Sequence, residues 1–145
     1  MFRWLSQWLD WFRPADAGAQ GEALAAAFLQ QERRFTIVTR NWRNPRDRRD
    51  EIDLVCRDGE VLVFVEVKAR SAGAMVPGYY AVNARKKRVL RRACSAYLRQ
   101  LRPAPATFRL DVVEVALPEA GDAGAPKILH FENIPLFPKH FHPGH

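Results

Sequence analysis

The stretch EIDLVCRDGEVLVFVEVKAR, residues 51–70, decides the fold. Val61-Leu62-Val63-Phe64-Val65 is the most strand-like apolar run in the chain, and Glu66-Val67-Lys68 follows it directly. Asp58-Gly59 separates this run from a second strand-like segment, residues 51–57, so the two read as a β-hairpin. A two-residue turn at Asp58-Gly59 pairs Arg57 with Glu60 and Cys56 with Val61. It sets Asp53 opposite Phe64 and Glu51 opposite Glu66. Side chains alternate along a strand and directly opposed residues share a face. Glu51, Asp53, Glu66 and Lys68 therefore project from one face, with Asp53 and Glu66 as diagonal neighbours about 7–8 Å apart at the backbone. Cys56 points the other way, toward Ile52, Leu54, Val63 and Val65. A carboxylate and an ammonium in a buried strand cost several kcal/mol per ion before pairing returns anything. The pair is either a structural salt bridge or a site. Three carboxylates on the lysine's own face favour the site, because crowded carboxylates are relieved by protonation or by a bound cation. An all-oxygen ligand set suits Mg²⁺ or Mn²⁺ better than zinc.

Working outward, the chain reads as one α/β domain with a mixed sheet flanked by helices, in the order helix, three strands, helix, strand. A helix spans 16–34 and is apolar nearly all round through Ala23–Leu29, as a buried helix is. Glu22 lies near its start and is either an exposed first-turn glutamate favoured by the helix dipole or a further carboxylate at the site. Strands are expected at 35–42, 51–57, 60–69 and 108–117, with a short last one at 127–131 and a polar loop at 44–49. Asn83 caps a long helix that Pro103 and Pro105 stop. Its Leu90, Ala93, Cys94, Tyr97 and Leu101 share one face, and Arg88, Arg91, Arg92, Arg99 and Arg102 the opposite one.

The chain has 145 residues, enough for one domain with a core, and a net charge of +7. Between Val67 and Leu110 there are eleven basic residues and no acidic one. Arg46, Arg48 and Arg49 belong to a second basic cluster. A one-sided basic field points to a polyanionic partner, either nucleic acid or an acidic membrane surface, with nucleic acid favoured. Lys86 lies toward the apolar side of the long helix, and snorkelling explains it better than a reach back to the site. No apolar run is long enough for a transmembrane segment, and the N-terminus lacks the pattern of a signal peptide. Two cysteines without metal or disulfide spacing fit a cytoplasmic protein. Residues 1–15 form a Trp-rich extension, 16–137 the α/β domain and 138–145 a flexible tail. Trp4, Trp8 and Trp11 fit a short helix that packs on the domain or rests on a membrane surface or partner. The histidines of the C-terminal run, His130, His140, His142 and His145, read as part of a polar tail rather than a metal site.

Glu22, Asp53, then Glu66 thirteen residues on with Val67 and Lys68 behind it, resembles the PD-(D/E)xK nuclease superfamily with its restriction-endonuclease-like fold. More closely, GEALAAAFL, RNWR, EIDLV, FVEVKAR, AVNARKKRVLRRACSAYL and LDVVEV resemble the YraN family of bacterial proteins, over about residues 21–137. The resemblance implies that Glu22, Asp53 and Glu66 hold Mg²⁺ or Mn²⁺ and that Lys68 positions the attacking water. It also implies a metal-dependent endonuclease acting on DNA or structured nucleic acid; the basic clusters make Arg46, Arg48, Arg49, Lys86, Arg88, Arg91, Arg92, Arg99 and Arg102 the surface expected to bind it. The alternative is a non-catalytic nucleic-acid-binding module that keeps the fold. Asp50 stands where the family usually has glycine, and the NPRDRRD loop before the motif is unusually arginine-rich.

Overall fold

The computed structural model describes residues 17–71, 84–119, 123–139 and 141. The Trp-rich extension, the Asn83 cap, His140, His142 and His145 lie outside the described residues. Helix α1 spans Ala17–Gln31 and helix α2 spans Ala84–Gln100. Five strands, β1 (Thr36–Asn44), β2 (Asp47–Asp58), β3 (Val61–Ser71), β4 (Phe108–Leu117) and β5 (Lys127–Phe131), form one sheet in that spatial order. β3 and β4 run parallel and every other neighbouring pair is antiparallel. A parallel pair needs a crossover, and α2 supplies it.

Each face of the sheet is covered by one helix. Leu24, Ala25, Ala26, Phe28 and Leu29 of α1 pack on Leu54, Cys56, Val63, Val65, Val113 and Val115. Leu90, Ala93, Cys94, Tyr97 and Leu98 of α2 pack on Ile52, Val55, Leu62, Phe64 and Leu110. The α2 set follows the three-and-four spacing of one helix face. The alanine-rich middle of α1 combines high helix propensity with a narrow cross-section, and the helix comes down close on β3. A Cβ on Gly21 would lie 2.5 Å from the Ala69 Cβ, so only glycine permits this approach. Arg34, at a φ of 61°, turns the chain out of α1, and the Phe35 amide donates to the Leu29 carbonyl at 2.9 Å.

The expected strand order is observed, with two local differences. The β2–β3 turn is Gly59–Glu60 rather than Asp58-Gly59, because Asp58 pairs with Val61. Gly59, at a φ of 58°, becomes the first central residue, where type II′ turns take glycine. The register therefore slides by two residues, which leaves side-chain alternation unchanged: Val55, not Asp53, faces Phe64, and Cys56 faces Val63. The expected loop at 44–49 is a second tight hairpin. Asn44 pairs with Asp47, leaving Pro45 and Arg46 as the turn. Asn44 Oδ1 accepts from the Arg46 amide and Asp47 Oδ1 from the Arg49 amide, each at 3.1 Å. Short polar side chains thus stabilise a turn that looks like an open loop in sequence.

Candidate functional site

The decisive local event lies at Asp53. Paired residues of β2 and β3 end at Leu54↔Val65, although both strands continue beyond. Asp53 and Glu66 are the first residues past this fork. Ile52 packs in the α2 layer while Leu54 and Cys56 pack in the α1 layer, so strict alternation breaks at Asp53. On β1, Asn41 has a φ of 51° between the pairs Arg40↔Leu54 and Trp42↔Ile52, level with the same break. Asparagine tolerates this left-handed conformation better than most residues. As a result the Asp53 carboxylate reaches sideways to β3 and accepts a hydrogen bond from the Val67 amide at 2.8 Å. A side chain thus takes the place of a ladder carbonyl.

Carboxylate oxygens of Glu22, Glu51 and Asp53 lie within 4.8 Å of one another. Gly21 sets up this meeting, because its contact with Ala69 brings the next residue, Glu22, down beside the end of β3. Burial, then the Glu66 charge, push the Asp53 carboxyl up to about 7, with Glu22 adding to the rise and the Val67 hydrogen bond and Lys86 opposing it. Three converging carboxylate oxygens suit a hard divalent cation. Glu51 also pairs with Arg43 at 3.4 Å on the outer side.

Glu66 stands apart from this trio. By the alternation of β3 it shares the α2 layer with Leu62 and Phe64. It is only 4% exposed, and its Oε1 lies 3.2 Å from Lys86 Nζ and 3.8 Å from Lys68 Nζ. The single face expected for Glu51, Asp53, Glu66 and Lys68 is therefore divided. Glu51 and Asp53 meet Glu22 of α1, and Glu66 and Lys68 belong to the α2 side. The two halves touch electrostatically across the fork at Asp53. Lys86 does reach back, which the apolar periodicity of its helix had not favoured. Glu51 enters the acidic trio because of the break in alternation, which no regular periodicity signals. A residue whose part the sequence does not signal is Glu114. It pairs with Lys68 in the β3–β4 ladder, is 1% exposed, and its Oε1 has no hydrogen-bond partner among the described residues.

The basic residues divide by what they touch. Asp47 holds Arg49 at 2.8 Å, and that bond keeps the Asp47 carboxyl down at about 2. Asp50, 2% exposed, holds Arg92 at 2.6 Å. Asp50 is thus the anchor of a strand-to-helix tether. Arg91 donates to the Leu136 carbonyl at 3.0 Å, and Arg102 to the Leu101 carbonyl at 3.4 Å. Arg46, Arg48, Arg88 and Arg99 are exposed. A hollow of about 370 Å³ runs along α2 between Arg88, Arg91, Arg92, Ser95 and Arg99. His130 is no tail residue: it sits in β5 with its side chain 1% exposed and Nε2 2.9 Å from Asp111.

A profile of the uncharacterised protein family UPF0102 matches residues 21–115, which include every residue of the fork. The chain belongs to this family. A UPF0102 protein of Anaeromyxobacter dehalogenans is 46% identical over 114 residues, covering 79% of each chain. One from Geobacter metallireducens is 37% identical over 80% of this chain and 88% of its own, and one from Beutenbergia cavernae is 44% identical over 77% and 92%. UPF0102 is the family that the sequence motifs resemble. Among the described residues no helix is long and apolar enough to cross a membrane.

Proposed function

We propose that this UPF0102 protein is a divalent-metal-dependent endonuclease that hydrolyses phosphodiester bonds of DNA or structured nucleic acid. The observation that carries the reading is the meeting of Glu22, Glu51 and Asp53 within 4.8 Å, at a strand fork shared with Glu66. These carboxylates would hold Mg²⁺ or Mn²⁺, with Glu66 approaching from the other side of the fork. When bound, the cation supplies charge neutralisation on the phosphate and an acidified water. The chain's own residues do the rest. The Val67 amide keeps the Asp53 carboxylate from turning away. Lys68 and Lys86 place two ammonium groups beside Glu66, where the negative charge of a phosphate would gather. The exposed arginines of α2 and of the β1–β2 hairpin offer the backbone a basic track. Cys56 and Cys94 are buried and unpaired, which fits a cytoplasmic setting.

One observation favours a second reading, a binding module without catalysis: Glu66 already has two lysines on a single oxygen. A panel of single-stranded, duplex and branched DNA and RNA, incubated with Mg²⁺ or Mn²⁺, separates the two. Cleavage by the wild type that is lost in Asp53→Asn and in Lys68→Ala supports the nuclease. Binding without cleavage of any substrate under either metal leaves the module.

A further inference from the structure

The arginines around α2 differ in how fully they are already used. Arg43, Arg49 and Arg92 are held by carboxylates, and Arg91 by a carbonyl. Arg46 and Arg99 have no carboxylate partner among the described residues, and both line a cavity of about 360 Å³ between the β1–β2 turn and the last turns of α2. Trp42 lines the same cavity. Its indole meets the Tyr97 ring edge-on at 5.3 Å, and Tyr97 is in turn packed edge-on to Phe64. The indole is thus held by the core. Arg99 also borders the neighbouring arginine hollow, so the two depressions adjoin.

A fixed aromatic plane with two uncommitted guanidinium groups is complementary to a planar ring that carries negative charge on either side. Stacking on an aromatic holds any base, and arginines hold the phosphates that flank it. The cavity volume lies at the lower end of the range for small-ligand sites. We propose that this cavity is a nucleotide subsite, in which Trp42 receives one unpaired base of a single-stranded segment and Arg46 and Arg99 hold its flanking phosphates. The inference rests on nucleic acid being the ligand of this protein, and deepens that reading by naming the form: a base inside the cavity cannot be paired. Arg99 lies thirteen residues beyond Lys86 on α2, about 20 Å at the helical rise. The held base is therefore remote from the carboxylates and serves to position a strand.

Fluorescence anisotropy of the full chain in metal-free buffer tests this without cleavage. The probes are a labelled oligothymidylate and an abasic oligonucleotide of equal length, which has the same phosphates and no bases. The wild type should bind the oligothymidylate at least about fivefold more tightly, the lower bound of base–aromatic stacking. Trp42→Leu should bring the two affinities within twofold of each other, and Trp42→Phe should keep the preference. Arg46→Gln with Arg99→Gln should weaken both probes and reduce the salt slope by about 0.7 per lost phosphate contact. This double variant removes no core contact, so it reports even if Trp42→Leu fails to fold. Equal binding of the two probes by the wild type, or a preference that survives Trp42→Leu, overturns the subsite while leaving nucleic-acid binding intact. Wild-type protein that binds neither probe nor duplex overturns both. Free thymidine monophosphate that displaces the oligonucleotide at equal concentration would assign the cavity to a mononucleotide and overturn strand binding.

Discussion

Asp53 and Asp111 sit on the same sheet and meet opposite treatment. Asp111 is fully buried, and three groups satisfy it. Arg109 Nε donates at 2.9 Å, His130 Nε2 lies at 2.9 Å, and the Asn133 amide donates at 2.9 Å. Burial alone would raise its carboxyl, but these bonds outweigh it and hold it below the usual aspartate range. Arg33 Nε donates to His130 Nδ1 at 3.3 Å, so the ring presents its proton to Asp111 through Nε2. Asp53 has one amide donor, two carboxylates within 4.8 Å and a third acting on it from Glu66, and is pushed up to about 7. A buried acid whose partners close the shell belongs to the architecture. A half-buried acid whose neighbours repel it holds room for a cation.

The largest effect should follow removal of the satisfied acid. Asp111→Ala leaves Arg109 and His130 without their common acceptor and should cost about 3–5 kcal/mol in chemical denaturation. Asp53→Asn should be neutral or stabilising above pH 7, since it removes a charge that its surroundings disfavour. Equal destabilisation by the two would break the contrast. Next in size is the response to metal. At a hundredfold excess over its Kd, Mg²⁺ or Mn²⁺ should add about 2.7 kcal/mol, roughly 5–10 °C of melting temperature for a chain of this size. That shift should vanish in Asp53→Asn and persist in Lys68→Ala. Retention of the shift in Asp53→Asn would move the cation elsewhere.

Acidity sharpens the contrast further. The folded Asp53 binds its proton more tightly than the unfolded chain, for which the usual value is near 4. Its contribution to stability is therefore full below about pH 4 and is lost as pH rises to about 7. For Asp111 the sign reverses: its contribution is present above the unfolded value and is lost as pH falls through the lower folded one. Denaturation curves from pH 4 to 8 should show wild type losing stability relative to Asp53→Asn, and cation affinity should rise through neutrality as the proton leaves. The smallest effect is a control. Asp47 is also depressed, to about 2, but by an exposed partner, Arg49. Arg49→Ala should leave stability unchanged within error, because water already screens that pair.

Much of this was legible in residues 51–70. The apolar run, the Gly59 turn and the E-V-K ending were enough for the hairpin, and the wheel of α2 was enough for its buried face. What escaped had specific causes. An Asp-Gly pair names a turn without saying which residue comes first, so the register was displaced by two, harmlessly for alternation. Asn44 and Asp47 fold the arginine-rich segment into a hairpin through side-chain bonds that composition does not show. A period of two carried through Asp53 puts Glu51 and Glu66 on one face, and the sequence holds no sign of its interruption. The break depends on Asn41 of the neighbouring strand, a partner that only the assembled sheet reveals. Composition groups His130 with the tail's other histidines, although its role is set by Asp111, nineteen residues earlier.

The bond from the Val67 amide to Asp53 has one more consequence. Most strand amides answer only to the unfolding of their ladder. This proton answers to the chemistry of a carboxylate, so its NMR shift and its exchange with deuterated solvent should follow whatever that carboxylate is doing. Titrated with acid, with Mg²⁺ or with an oligonucleotide, Val67 becomes a gauge placed at the fork, readable without a cleavage assay.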